Sequence, residues 1–150
     1  MFNKVVLGGT FNILHRGHKE ILNVAFKIGR SVAIGLTADE FANRFRPVEI
    51  SKYEERKENL TKFIENFNKE YAIIEIHDSY GIATIDPEID CIVVSEETLL
   101  RAEEINAIRF KKGLSKLTMV VVPILLGSDG KAISGERILR GEIDADGKVL

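Results

Sequence analysis

The chain has 150 residues, 45% hydrophobic and 29% charged, the balance of one soluble globular domain with little room for a second. Its single cysteine, Cys91, excludes an internal disulfide, and three histidines beside it leave too few ligands for an ordinary structural zinc site. A net charge of −2 gives no general attraction to nucleic acid or anionic membrane, and no apolar run approaches the ~20 residues that span a bilayer. The expectation is a single cytoplasmic domain over residues 1–150, with no nucleic-acid or membrane partner.

Val5-Val6-Leu7 is a short apolar run closed by Gly8-Gly9, which predicts a buried strand. Apolar spacing then turns helical from Gly17 to Ile28, with Ile21, Ala25 and Ile28 on one face and Gly29 as the stop. Ser31–Leu36 predicts a second strand. Thr37-Ala38-Asp39-Glu40 has the form of a capping box opening a short helix, and Ser51-Lys52-Tyr53-Glu54 has it again before a longer one. The long helix carries Leu60, Phe63, Ile64 and Phe67 at core-facing spacing. Tyr71–Ile76 and Ile89–Val94 predict the third and fourth strands. Ala102–Lys112 reads as helix with Gly113 as its stop, Thr118–Ile124 as the fifth strand, and Arg137–Arg140 as a last helical turn. Arg44–Ser51 and Asp78–Glu88 read as mobile loops, and Ile143–Leu150 as a segment that frays or forms a small tail.

Near-continuous apolar strands alternating with helices predict an α/β fold: a Rossmann-like, doubly wound sheet of about five parallel strands with helices on both faces. Such sheets bind ligands beyond the carboxyl ends of their strands, so the residues after each strand are the ones to read for chemistry. The first of these segments is the most informative. Gly8-Gly9 lets backbone approach a phosphate, and a helix start follows, expected to offer free N–H groups and a partial positive charge. His15 and His18 flank Gly17 there, and their spacing puts both imidazoles on one side. Two of three histidines within four residues, behind a glycine turn, point to stabilisation of phosphate charge. No nucleophile stands nearby, which favours direct displacement.

Gly8-Gly9-Thr10-Phe11-Asn12 with His15-Arg16-Gly17-His18 resembles the G-T-F-D-x-x-H-x-G-H motif of the nucleotidyltransferase superfamily related to class I aminoacyl-tRNA synthetases. Within it, Val93-Val94-Ser95-Glu96-Glu97-Thr98 and Ala102-Glu103-Glu104-Ile105-Asn106 are similar to the archaeal-type phosphopantetheine adenylyltransferases. The resemblance implies transfer of an adenylyl group from ATP to 4′-phosphopantetheine, giving dephospho-coenzyme A and pyrophosphate by in-line displacement, a step of coenzyme A biosynthesis. It implies His18, His15 and Thr10 as catalytic residues. It implies ATP binding by Gly8, Gly9, Thr10, Phe11, His15, Gly17, His18, Ser95, Ser134 and Arg137, with Gly17 leaving room for adenosine. Thr10, Arg44, Arg46 and Lys52 are the candidates for the substrate phosphate. Mg²⁺ is expected with ATP, without a dedicated protein metal site.

Two departures stand out. Asn12 replaces the motif's Asp, and in the family's second phosphate element Gly135 and Glu136 stand where Ser and Thr are carried and Leu139 where an Arg is common. Ser134, with Arg137 or Arg140, is expected to keep the phosphate contact. Glu104 and Arg109 are expected to pair on a helix surface, His77 to be a strand-end polar residue, and Cys91 to be packing. The alternatives are another member of the superfamily, an FMN adenylyltransferase or a glycerol-phosphate cytidylyltransferase, or a non-catalytic nucleotide-binding module. The sequence leaves the oligomeric state open.

Overall fold

The structure, a computed structural model, describes residues 1–44 and 49–150. Five strands form one parallel sheet: β1 (Phe2–Gly9), β2 (Gly29–Thr37), β3 (Glu70–Ile76), β4 (Cys91–Ser95) and β5 (Thr118–Val122), in the order β3-β2-β1-β4-β5. Side chains alternate between its faces. Val5, Leu7, Val32, Ile34, Cys91 and Val93 join one core, while Val6, Ala33, Ile92 and Val94 join the other. Both faces are covered, which is why the inner strands read as continuous apolar runs rather than alternating ones.

Helices α1 (Arg16–Ile28) and α3 (Tyr53–Ile64) cover the first face, and α4 (Leu99–Lys111) covers the second. Helix α1 buries Leu22, Ala25 and Phe26, with Ile21 and Ile28 packed at the margin, so its core stripe is rotated by one residue from the predicted face. Two short helices, α2 (Asp39–Asn43) and α5 (Gly135–Leu139), follow β2 and β5. The strands therefore wind outward from β1 in both directions, as the doubly wound expectation requires. Among the described residues no helix is long and apolar enough to cross a membrane.

Several local expectations are corrected. Neither predicted capping box forms. The N-cap of α2 is Ala38, because Thr37 stays in β2 and turns its hydroxyl to Thr10. The N-cap of α3 is Lys52, and its first N–H, on Tyr53, donates to Asp39 Oδ1 at 2.8 Å. Strand β5 ends at Val122, before Pro123, which has no N–H for a ladder. Strand β4 begins at Cys91 because the Asp90 carboxylate accepts from the N–H groups of Asn3 and Lys4.

The segment 78–88, expected to be mobile, contains a 3-10 turn at Gly81–Thr84 and is tied down by Arg109. That arginine is fully buried and donates to the carbonyls of Ala83, Asp86, Ile89 and Ser115. It therefore does not pair with Glu104, whose carboxylate accepts from the Tyr80 hydroxyl at 2.7 Å. Of the other expected loop, 44–51, residues 45–48 lie outside the described residues. The segment 143–150 neither frays nor hangs free. Ile143 is 0% exposed and bridges Val149 in an antiparallel turn.

Candidate active site

Winding reverses between β1 and β4, so α1 and α4 diverge from the sheet on opposite faces and leave a crevice at the strand ends. The crevice is a cleft of about 750 Å³, within the range of small-ligand sites. Its floor is the glycine-rich end of the sheet, where Gly8 lies in register with Gly35.

On leaving β1 the chain turns sharply. Phe11 adopts φ 48°, a left-handed conformation that costs a non-glycine residue ~1–2 kcal/mol. The turn brings the Phe11 ring to 5.0 Å from the His18 ring, into space that a side chain on Gly9 would contest. Asn12, despite replacing Asp, holds the turn: its Oδ1 accepts from Ser51 N–H at 2.8 Å and its amide donates to Glu49.

His15 is the N-cap of α1. Its Nδ1 accepts from the N–H groups of Gly17 at 3.0 Å and His18 at 3.4 Å, while His18 Nδ1 accepts from His15 N–H at 3.4 Å. The two histidines thus form a reciprocal capping box. Their rings stack with centroids 3.7 Å apart. A nitrogen that accepts carries no proton, so the hydrogen bonds assign the proton of each neutral ring to Nε2, on the far side from the backbone. Burial reinforces this at His15, which is 7% exposed and whose pKa is pushed down from 6.5 to about 4 by desolvation.

Two expectations change here. The first-turn N–H groups of α1 are not free, because Gly17 and His18 donate to His15 and Arg16 donates to Ala145 O at 2.9 Å. What the start of α1 still offers the cleft is its helix dipole and the two imidazoles rather than those backbone groups. The space beside Gly17 belongs to His15: a Cβ there would lie 2.9 Å from His15 Cε1.

Thr10 is buried, and the Thr37 hydroxyl donates to its Oγ1 at 3.0 Å. Behind both lies Arg56, fully buried, which donates to Thr10 O at 3.0 Å, Thr37 Oγ1 at 3.3 Å, Ser51 O at 2.8 Å and Asp39 Oδ1 at 2.9 Å. One guanidinium therefore ties the turn after β1 to the end of β2 and the start of α3. Its planar set of five donors suits that task in a way a lysine would not.

Across the cleft, Ser95 ends β4 and leads into the 3-10 turn Glu96–Thr98. Ser134 caps α5, accepting from Arg137 N–H at 3.3 Å. The fold thus brings Gly8, Gly9, Thr10, Phe11, His15, Gly17, His18, Ser95 and Ser134 to one cleft. Arg137 does not line it. Its guanidinium donates to Asp129, to Glu142 and to the carbonyls of Lys131 and Ala132. Arg137 is thus a tie within the loop before α5, next to the lining residues Ser134, Gly135 and Glu136. Arg44 and Lys52 also lie outside the lining, and Arg46 lies outside the described residues.

The sequence reading missed Arg101, which enters the cleft from the first turns of α4. It was hidden because the expected helix began three residues too late, at Ala102. Thr37 was missed because it was read as a helix cap. Its position at the end of a strand was the available signal.

Over residues 6–141 the chain matches the cytidylyltransferase-like family. A phosphopantetheine adenylyltransferase of Methanopyrus kandleri is 43% identical over 145 residues, 95% of this chain and 92% of that protein. One from Thermococcus kodakarensis is 44% identical over 151 residues, covering 99% of this chain and 92% of that one. Among solved structures, an Archaeoglobus fulgidus protein described as of unknown function superposes with a TM-score of 0.72 at 35% identity, over 79% of this chain and 88% of that one. A cleft at the switch point of a doubly wound sheet, a stacked His15–His18 pair at its edge and relatives similar over nearly their whole length agree: the chain belongs to the phosphopantetheine adenylyltransferases of the cytidylyltransferase-like family.

Proposed function

We propose that this protein transfers the adenylyl group of ATP to 4′-phosphopantetheine, forming dephospho-coenzyme A and pyrophosphate. The observation that carries the proposal is the His15–His18 pair, stacked at 3.7 Å with each Nδ1 turned back onto the backbone. Both histidines line the cleft at the end of β1, where charge on a reacting phosphate would develop. A phosphate oxygen of 4′-phosphopantetheine attacks the α-phosphorus in line, the bond to the bridging oxygen breaks, and pyrophosphate leaves. His18 and His15 donate to the oxygens that gain charge. Thr10, braced from behind, positions the attacking phosphate.

Ser95, Thr98 and Arg101 on the β4–α4 side suit the nucleotide, and the apolar wall of Ile76, Tyr80 and Ile82 suits the pantetheine arm. Mg²⁺ bound with ATP would neutralise phosphate charge, held mainly by phosphate oxygens and water. The cleft carboxylates Glu97 and Glu136 come from separate elements, and the described residues contain no group of three His, Cys, Asp or Glu able to cage an ion.

The test is pyrophosphate release with ATP and 4′-phosphopantetheine, beside FMN, glycerol 3-phosphate and CTP arms. Turnover with 4′-phosphopantetheine and ATP is expected. Release only with FMN, or only with CTP, refutes the substrate assignment, and ATP binding without turnover on any pair favours a non-catalytic role.

A further inference from the structure

The segment 143–150 reaches the catalytic helix. Ala145 O accepts the Arg16 N–H at 2.9 Å, the one first-turn donor of α1 that the histidine capping box does not satisfy. Arg16 lies between His15 and Gly17, so this bond fixes the backbone from which both imidazoles project. The carbonyl is held out by a knotted turn. Asp144 Oδ1 accepts from Asp146 N–H at 3.0 Å and Lys148 N–H at 2.9 Å, and Gly147 N–H donates to Asp144 O at 3.0 Å.

The same turn is fastened to the loop that precedes α5. Ser128 N–H donates to Gly147 O at 2.8 Å, and Ser128 Oγ accepts from Val149 N–H at 3.0 Å. Gly147 has φ 87° and lies so close that a Cβ on it would meet Ile133 Cδ1 at 2.6 Å. Ile143 anchors the segment at 0% exposed. One hairpin therefore touches the start of α1 on one side and the loop leading to Ser134 on the other. Those are two of the walls between which a triphosphate would lie.

We infer that the hairpin 143–150 is a positioning element for catalysis, with Asp144 as its positioning residue: it sets the backbone under His15 and His18 and their span to Ser134. Loss of a positioning contact far from the chemistry lowers turnover because the donors no longer meet the charge as it develops. The inference rests on the adenylyl-transfer proposal above.

The test compares Asp144→Ala with Asp144→Asn, whose amide oxygen accepts the same two N–H groups. Asp144→Ala is expected to lower kcat about tenfold with the ATP KM changed less than about twofold. It should also speed hydrogen exchange at the Arg16 amide and shift the His15 ring nitrogens in ¹⁵N spectra. Asp144→Asn should restore all three. A folded Asp144→Ala enzyme with faster Arg16 exchange but unchanged kcat overturns the inference, because the hairpin would then serve stability alone. Equal loss of kcat in Asp144→Asn also overturns it. Should Asp144→Ala not fold, Ser128→Ala, which removes the acceptor for Val149 N–H, takes the same measurements with the same expectations. Wild-type enzyme that forms no dephospho-coenzyme A refutes the underlying proposal and the inference with it, whereas active wild type with unaffected variants refutes the positioning role alone.

Discussion

The Thr37 hydroxyl donates to the Thr10 hydroxyl at 3.0 Å, and Arg56 donates in turn to Thr37 at 3.3 Å. A guanidinium can only donate, so Thr37 accepts from Arg56, and its own hydroxyl proton is directed to Thr10. Thr37→Val keeps the shape and removes the link. It should lower kcat/KM for 4′-phosphopantetheine by roughly 5- to 30-fold, corresponding to ~1–2 kcal/mol for a buried hydrogen bond. Thr37→Ser should remain near wild type. Steady-state kinetics on the two variants check this, and equal losses in both would point to packing of the methyl group instead.

His18→Ala should reduce kcat by about 10²–10³-fold, the scale of losing one donor to a charged transition state. His18 Nδ1 also accepts the His15 N–H, so the start of α1 should loosen locally while the sheet stays intact. Circular dichroism and single-turnover rates separate the two effects. Normal turnover in the folded variant would contradict the role given to this side chain.

His15 should make stability depend on pH in a defined window. Its pKa is about 4 in the folded protein against 6.5 unfolded, so the unfolded chain takes up a proton first as pH falls. The neutral ring therefore contributes stability fully above pH ~6.5, and that contribution is lost as pH drops from 6.5 through 4. The shift corresponds to at most about 3 kcal/mol. Denaturant titrations at pH 7 and pH 4.5 should differ more for wild type than for His15→Asn. The same slope in both would show that another group is responsible.

Arg137→Ala and Arg101→Ala should part company. Arg137 holds Asp129, Glu142 and the carbonyls of Lys131 and Ala132, so its loss should lower the melting temperature. Arg101 faces the cleft, so its loss should raise the ATP KM and leave melting nearly unchanged. Thermal melts beside ATP saturation curves check both, and the opposite pattern would restore Arg137 to the nucleotide.

Gly17→Ala should disturb His15 before it disturbs any ligand, because the added Cβ would lie 2.9 Å from the imidazole. A fall in kcat with changed His15 ring resonances in the ligand-free protein is expected. Changed resonances only after ATP is added would return the glycine to an adenosine-contact role.

The sequence by itself determined the alternation of strands and helices, since continuous apolar runs between glycine turns can be buried only as inner parallel strands. It also determined the clustering of His15 and His18, because four residues at one helix start cannot be far apart. Those features are local, and local spacing encodes them. What only the tertiary structure decided is where polar groups find partners distant in sequence. Arg137 shows only its charge in the sequence, and the fold gives that charge Asp129 and Glu142 as partners. Thr37 looked like a helix cap and instead meets Thr10, 27 positions away. The first N–H of the catalytic helix looked free and is taken by Ala145. In each case a donor takes an acceptor from another segment of the chain, and the choice among acceptors depends on which segments the fold brings within hydrogen-bond reach. Residue order does not carry that distance, so the chemistry at the strand ends was legible while its bracing was not.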